Sequence, residues 1–295
     1  MTDKILAKLR DIGAHFTPDV LTQTRELYRP LVASLPFMSR KRVADIRYGP
    51  HARHRLDVFP ADHQRAPVLL FIHGGGFVGG DKSGDDIFYT NVGRYFAEQG
   101  FCAVAINYRL APDEVWPAGA EDTARAMEWI ISSIRDYGGD PDRIVILGQS
   151  AGASHSASYL FDLRIDGRYR GRVRAAALTS GFYTAREPLL GGPRHYFGED
   201  ESLWHARSPT SHVTAGHPPI LITVAELDPA IIAGQSFLLA GVLNDIDGRP
   251  PRLCWFADHN HVSTVHGLGL ADDEVGRTLT GFFREALALP EAVDA

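Results

Sequence analysis

RIVILGQSAG, residues 143–152, decides the fold of this chain. The aliphatic run from Ile144 to Leu147 predicts a buried strand, and the Gly-x-Ser-x-Gly pattern after it predicts a sharp turn into a helix. Glycine at 148 and 152 removes side chains that would collide across so tight a turn, so Ser150 can hold a strained backbone at its tip. The helix N-terminus also favours negative charge beside that serine. We therefore expect Ser150 to be a nucleophile.

Strands and helices alternate around this segment. Apolar runs predict strands over 43–48, 54–59, 68–73, 101–108, 144–148, 173–179, 220–225 and 252–257. Helical spacing predicts helices over 85–99, 118–135, 230–243 and 272–287, and another directly after Ser150. Continuous apolar strands alternating with helices predict an α/β fold, in which a mostly parallel sheet has helices on both faces. Ligands of such sheets bind at the carboxyl ends of the strands.

The chain contains no repeat or linker, so we expect one catalytic domain over 41–295 with a helical N-terminal extension over 1–40 that contributes to a cap. Pro18, Pro30 and Pro36 interrupt the helical spacing of the extension. Between about 182 and 219, aromatic residues, prolines and histidines occur without a clear period. We interpret this stretch as a cap-like insertion, with a disordered surface loop as the alternative.

The bulk composition indicates an ordinary globular enzyme or binding protein. Of 295 residues, 44% are hydrophobic and 22% are charged, and the formal net charge of -6 argues against nucleic acid or an anionic membrane as a partner. No apolar segment approaches the roughly 20 residues of a membrane span. The two cysteines, Cys102 and Cys254, lie in strand-like runs, so we expect buried thiols rather than a disulfide or a metal pair. Together with an N-terminus that lacks a signal-peptide pattern, these features predict a cytoplasmic protein.

A glycine-rich motif, His73-Gly74-Gly75-Gly76-Phe77, follows the strand that ends near residue 72. Glycines leave backbone N–H groups open to a substrate, and such donors stabilise a tetrahedral oxyanion. With the serine turn, they predict an oxyanion hole built from the N–H groups of Gly75, Gly76 and Ala151. The alternative is a phosphate-binding loop, since Lys82-Ser83 follows at the right spacing. Asp81 stands where that motif needs its second glycine, which disfavours phosphate.

Several separated motifs now occur in order: the HGGGF stretch at 73–77, YRLAP at 108–112, WPA at 116–118, Asp122, Trp129, GDP at 139–141 and GQSAG at 148–152. This series resembles the α/β-hydrolases of the hormone-sensitive-lipase-like and carboxylesterase group, and is also similar to kynurenine-formamidase-like hydrolases. The resemblance covers the chain from about residue 43 onward. It implies an eight-stranded, mostly parallel sheet with a small cap, a serine hydrolase activity, and no cofactor or metal.

The fold implied by the resemblance places its triad in the order serine, acid, histidine. The acid matches Asp228 in Glu226-Leu227-Asp228-Pro229. Asp228 could also cap the helix that follows, and Glu226 is the alternative candidate for the acid. The base matches His261, which precedes an apolar residue. His259 and His266 are the alternatives, and a histidine cluster could also bind metal. Because no second group of ligands accompanies the cluster, a serine triad explains it better.

The pocket walls are expected to be mostly aromatic, which suits an uncharged, partly apolar ester. The candidates are Phe77, Val78, Trp116, Phe182, Tyr183, Tyr196, Phe197 and Trp204. We therefore expect a serine carboxylesterase acting on small to medium acyl esters. Alternatives are an amidase such as an N-formyl arylamine hydrolase, and a binding protein that has kept the fold without turnover. A homodimer is possible.

Two further features concern the scaffold. Arg109, just past a strand, and Asp122, on a helix, are expected to form a buried ion pair that braces the loop carrying Trp116. Gln149 departs from the resemblance, because many such hydrolases carry an acidic residue or a histidine before the nucleophile.

Overall fold

The computed structural model describes residues 2–271 and 273–289, and within them eight strands form one sheet in the order β1-β2-β4-β3-β5-β6-β7-β8. β2 pairs antiparallel with β1 and with β4, and all other neighbours are parallel. The strands are β1 (Val43–Arg47), β2 (Arg55–Phe59), β3 (Ala66–Ile72), β4 (Cys102–Ile106), β5 (Gly139–Gln149), β6 (Val173–Thr179), β7 (Ile220–Leu227) and β8 (Arg252–Asn260). The predicted mostly parallel sheet is confirmed.

Helices cover both faces of the sheet, as the alternating pattern predicts. The helices are α1 (Thr2–Ile12), α2 (Pro18–Ala33), α3 (Thr90–Glu98), α4 (Ala118–Ser133), α5 (Ala151–Phe161), α6 (Gly191–Phe197), α7 (Trp204–Arg207), α8 (Ala230–Asp247), α9 (Ser263–His266) and α10 (Glu274–Ala286). α4, α5 and α8 bury apolar side chains on one face, and α3 and α10 do so on the other.

The central strands are apolar throughout because both of their faces are covered. All seven residues of β3 are buried, and its Leu70 pairs in register with Ile146 of β5. Burying one such aliphatic side chain contributes about 1.5–3 kcal/mol. β5 begins at Gly139, earlier than the apolar run indicates, because Ala66 and Pro67 of β3 pair with its first two residues.

The N-terminal extension is helical, as predicted. α2 begins after Thr17, whose hydroxyl accepts a hydrogen bond from the N–H of Val20 at 3.3 Å, and Pro18 occupies its first position, where no N–H is needed. Apolar residues of α1 and α2 form a small separate cluster that includes Phe88 of the catalytic domain. Residue 1 of the predicted extension and residues 290–295 of the predicted domain lie outside the described residues.

The flank formed by α8 and the edge strand β8 is partly open. Among the described residues, α8 is the one helix that is long and apolar enough to span a membrane, judged by length and composition alone. The sequence pattern did not predict such a segment. Its Leu239 and Leu243 are buried against the sheet, whereas Phe237 is exposed. Cys254 on β8 is only half-buried, which corrects the expectation of two buried thiols; Cys102 is buried.

Candidate active site

The turn between β5 and α5 holds Ser150 at a φ of 55°, in the left-handed region that costs energy for any residue except glycine. The turn is tight enough to require glycine on both sides. A Cβ at Gly148 would lie 2.6 Å from the Cα of Ala153, and one at Gly152 would overlap the carbonyl oxygen of Ile72. The N–H of Ser150 donates to the carbonyl of Thr179 at 2.8 Å, which ties the turn to β6.

Ser150, His261 and Asp228 form a hydrogen-bonded chain. The Nε2 atom of His261 lies 2.9 Å from the Oγ of Ser150, and its Nδ1 lies 2.7 Å from the Oδ1 of Asp228. The second carboxylate oxygen of Asp228 accepts from the Oγ of Ser180 at 2.6 Å and from the N–H of Ala225 at 2.9 Å. Because a carboxylate can only accept, Nδ1 of His261 carries the proton and Nε2 is free to accept one from the serine.

The other candidates for acid and base lie outside this chain. His259 shares a hydrogen bond with the hydroxyl of Ser263 at 3.0 Å, and burial lowers its pKa to about 4. His266 is fully buried, which lowers its pKa to about 3. The carboxylate of Glu226 accepts from the N–H of Asp258 at 2.7 Å and so supports the histidine loop from outside.

The glycine-rich loop presents unpaired donors beside Ser150. Gly75 has a φ of 148° and Gly76 a φ of 59°, and a Cβ at Gly75 would overlap the carbonyl of Gly79. Within the described residues, the N–H groups of Gly75, Gly76 and Ala151 donate to no backbone carbonyl. These are the donors predicted for the oxyanion hole, and they are left open for a developing negative charge.

A buried network supports that loop from below. Asn107 accepts at its Oδ1 from the N–H of Lys82 at 2.7 Å and lies 3.1 Å from the Nε2 of His73. Burial lowers the pKa of His73 to about 4. The Nζ of Lys82 lies 2.8 Å from Asp45 and 3.1 Å from Asp57, and the side chain is 3% exposed. It is therefore engaged in the scaffold and does not point at a phosphate, which removes the support for a phosphate-binding loop.

A largely aromatic cluster adjoins the serine turn through Ala151. Ala151 and most of the predicted wall residues belong to one buried cluster, against which Trp116 packs. The predicted members of that cluster are Phe77, Phe182, Tyr196, Phe197 and Trp204. Val78 is 43% exposed beside the oxyanion loop. Tyr183 was predicted as a wall, but its side chain belongs to the main core cluster, so that assignment is wrong.

The predicted cap consists of short helices that rest on the oxyanion loop. α6 contributes Tyr196, whose ring stacks on Phe77 with centroids 4.7 Å apart and an interplanar angle of 14°. At the start of α6, a Cβ on Gly192 would overlap the carbonyl oxygen of Gly76. The cap and the oxyanion loop are therefore in backbone contact, which only glycine at 192 permits.

The N-terminal extension reaches the catalytic histidine, a contact that sequence reasoning did not find. The ring of Phe16 lies edge-on to the ring of His261, with centroids 4.7 Å apart. Arg10 pairs with Asp258 at 2.7 Å, and Thr24 accepts from the side-chain amide of Asn260 at 2.8 Å. The partners are 236 to 248 residues apart, so no local pattern could have indicated them. Ser180, the partner of the catalytic acid, was missed for the same reason.

The predicted ion pair between Arg109 and Asp122 is present and is part of a larger brace. The Nε of Arg109 and the Nε2 of His54 both lie 2.9 Å from the Oδ1 of Asp122, and the backbone N–H of Arg109 donates to its Oδ2 at 2.7 Å. Burial raises the pKa of Asp122, but hydrogen bonds from His54 and from the Arg109 N–H outweigh this effect and hold the pKa below its usual value. The brace fixes the loop that carries Trp116.

Comparison with known proteins agrees with this geometry. A family profile described as BD-FAE matches residues 56–161, and the profile of the prolyl oligopeptidase family matches residues 117–289, more than half of the chain. Esterase LipQ of Mycobacterium tuberculosis is 33% identical over 224 residues, which are 68% of this chain and 52% of LipQ. Carboxylesterase NlhH of the same organism is 35% identical over 250 residues, which are 76% of each protein. This chain thus spans about half the length of LipQ and of the similar LipM.

Solved structures show the same fold. Esterase B from Lactobacillus rhamnosis superimposes with a TM-score of 0.74 at 20% identity, covering 98% of this chain and 97% of that one. The hyperthermophilic esterase from the archaeon Pyrobaculum calidifontis gives a TM-score of 0.69 at 22% identity, covering 96% of each chain.

Proposed function

Because the chain belongs to the carboxylesterase group of the α/β-hydrolases, we propose that it is a serine esterase that hydrolyses small to medium, uncharged carboxylic esters through an acyl-enzyme. The observation that carries this proposal is the position of His261. Its ring bridges Ser150 at 2.9 Å and Asp228 at 2.7 Å, beside three backbone N–H groups that donate to no backbone carbonyl in the described part of the chain.

The geometry supports acyl transfer in two steps. As the Oγ of Ser150 attacks the ester carbonyl, its proton passes to the Nε2 of His261, and Asp228 stabilises the imidazolium without taking the proton. The carbonyl oxygen becomes an oxyanion held by the N–H groups of Gly75, Gly76 and Ala151. When the intermediate collapses, His261 returns the proton to the departing alcohol. Water, deprotonated by His261, then attacks the acyl-enzyme and releases the acid.

The apolar walls support the substrate class. The cluster that includes Ala151 is largely aromatic, and Phe16 adds an apolar ring against His261. Such walls desolvate an acyl or alkoxy group but offer no partner for a charge. The similar proteins named above are described as esterases, which favours an ester over an amide as the substrate.

Ser150→Ala tests the proposal, because it removes the nucleophile with little change in volume. We expect turnover of a p-nitrophenyl ester to fall by about a thousandfold or more, and labelling by a fluorophosphonate to disappear. Ser156→Ala is the matched control, since Ser156 is a serine buried within α5, six residues past the nucleophile, and its hydroxyl donates to the carbonyl of Gly152 at 2.8 Å. Near-normal hydrolysis by Ser150→Ala would refute the assignment.

The same assays separate the alternatives. A p-nitrophenyl ester and the matching anilide should be hydrolysed at very different rates, with the ester faster; a faster anilide would indicate an amidase. A wild-type protein that neither reacts with the fluorophosphonate nor turns over any ester of an acyl-chain series would indicate a binding protein instead.

A further inference from the structure

Gln149, the residue before the nucleophile, connects the two catalytic segments. It is the last residue of β5 and is 1% exposed. Its Nε2 donates to the backbone carbonyl of His261 at 3.1 Å, and its Oε1 accepts from the hydroxyl of Tyr89 at 3.1 Å. A carbonyl oxygen can only accept, so the amide nitrogen must face His261, and this defines the orientation of the side chain.

The loop that carries His261 needs such a connection. Two strands, β6 and β7, lie between β5 and β8 in the sheet, and His261 directly follows the last residue of β8, so the segments that carry Ser150 and His261 do not pair with each other. The ring of His261 is held by Ser150 and Asp228, but both bonds act on the end of a side chain that can rotate about two bonds. The bond from Gln149 acts on the main chain, and it comes from the residue next to the nucleophile.

The glycine-rich loop leaves room for this arrangement. A Cβ at Gly74 would overlap the Oε1 of Gln149 and would lie 3.0 Å from the Cβ of Ser150. The first glycine of the HGGG motif therefore accommodates the glutamine, whereas the second and third present the oxyanion donors. An amide suits the position because it accepts from Tyr89 and donates to a carbonyl at the same time, which an ionised carboxylate cannot do.

We propose that Gln149 is a positioning residue, which holds the main chain of His261 in register with Ser150 for proton transfer. It contacts no substrate, so it acts through His261. The inference rests on the proposed esterase activity. Loss of this bond frees the base to drift relative to the serine, and a displacement of about 1 Å can cost on the order of a hundredfold in rate.

The test compares three variants with the wild-type protein on one ester. Gln149→Met keeps the volume and removes both hydrogen bonds; we expect kcat and the fluorophosphonate labelling rate to fall about 10- to 100-fold while KM changes less than about threefold. Gln149→Glu keeps the volume and the acceptor, and above pH 8 its ionised carboxylate presents only oxygens to His261. We expect a loss at least as large.

Asn91→Leu is the matched control. Asn91 is a buried amide whose Nδ2 donates to the carbonyls of Val265 and His266 at 2.8 and 3.3 Å, four and five residues past the base. We expect this variant to unfold at lower temperature but to keep kcat within about threefold, because it loses hydrogen bonds to Val265 and His266 of α9 and none to the main chain of His261. Wild-type kcat in Gln149→Met or in Gln149→Glu above pH 8, or an equal kcat loss in Asn91→Leu, would overturn the inference. A wild-type protein without Ser150-dependent turnover would instead contradict the proposed function.

Discussion

Replacing His266 by leucine should make the protein resist acid. His266 follows the catalytic loop in α9 and is fully buried, its ring lying 4.2 Å from that of Phe88. Among the described residues neither of its ring nitrogens has a hydrogen-bond partner. Burial lowers its pKa from 6.5 to about 3, so the native state keeps the ring neutral where the unfolded chain would protonate it. The free energy of unfolding is therefore unaffected by this histidine above pH 6.5, and it decreases progressively as the pH falls from 6.5 toward 3.

The magnitude follows from the pKa values. At pH 5.5, one unit below the ordinary histidine pKa of 6.5, the imidazole of residue 266 is protonated in the unfolded chain but not in the native state. This lowers the free energy of unfolding by about 1.4 kcal/mol relative to pH 8. Leucine takes up no proton, so the loss of unfolding free energy between pH 8 and pH 5.5 should be about 1.4 kcal/mol smaller in His266→Leu. Any change in packing is the same at both pH values and cancels. At pH 8 the substitution removes two buried nitrogens without hydrogen-bond partners, which should raise the free energy of unfolding by about 1–3 kcal/mol. Any misfit of the leucine side chain reduces this gain.

Urea unfolding followed by tryptophan fluorescence at pH 8 and pH 5.5 measures both quantities. His63→Leu is the control, because His63 is exposed and water solvates its ring in both states. Equal pH dependence in His266→Leu and wild type would show that the imidazole finds a partner or is protonated in the native state, and would refute the reasoning. His73 and His155 are buried and His259 is half-buried, all three with lowered pKa values, so wild type itself should lose several kcal/mol of unfolding free energy by pH 5.5.

Three further changes test other parts of the structure. Phe16→Ala should raise KM several-fold and change the preference in an acyl-chain series, because it removes the apolar ring against His261; unchanged kinetics across the series would exclude a role for the extension. Gly192→Ala should lower kcat by about tenfold or more, since its Cβ must displace the carbonyl of Gly76, and a displaced oxyanion donor costs on that scale; normal kcat would show that the cap moves instead. Asp122→Lys should lower the melting temperature by about 5 °C or more, because it places a second positive charge beside Arg109 in a buried site; an unchanged melting temperature would contradict the brace.

The sheet and Ser150 could be predicted because local pattern carries them, whereas Asp228 and His261 were identified through the resemblance of the motif series to a known family. A strand such as β3 is buried on both faces and is therefore apolar throughout, and the turn at Ser150 requires two glycines at a set spacing. Parallel strands place their carboxyl ends at one edge, so residues just past β5, β7 and β8 had to meet. The cap was recognisable only as an irregular stretch, because α6 and α7 have seven and four residues, too few to show a helical period.

Contacts that depend on distant parts of the chain left no such pattern. Phe16 and Ser180 have ordinary sequence surroundings, and their partners are known only once the fold has brought the segments together. Tyr183 illustrates the opposite error. An aromatic residue after β6 fits a pocket wall, but the side chain of Tyr183 belongs to the main core instead.

The residues that support the catalytic groups share one chemical feature: they bond side chain to backbone or to a catalytic side chain rather than pack by apolar area. Asn107 holds the oxyanion loop, Ser180 holds Asp228, and Gln149 holds His261. Apolar packing tolerates small displacements, because its energy changes gradually with distance, whereas a hydrogen bond weakens steeply when its angle is lost. Proton transfer between Ser150 and His261 has the same steep dependence on geometry. Hydrogen bonds are therefore better suited than apolar contacts to hold the catalytic groups in place. Losing one should cause a large fall in kcat but only a small fall in the free energy of unfolding.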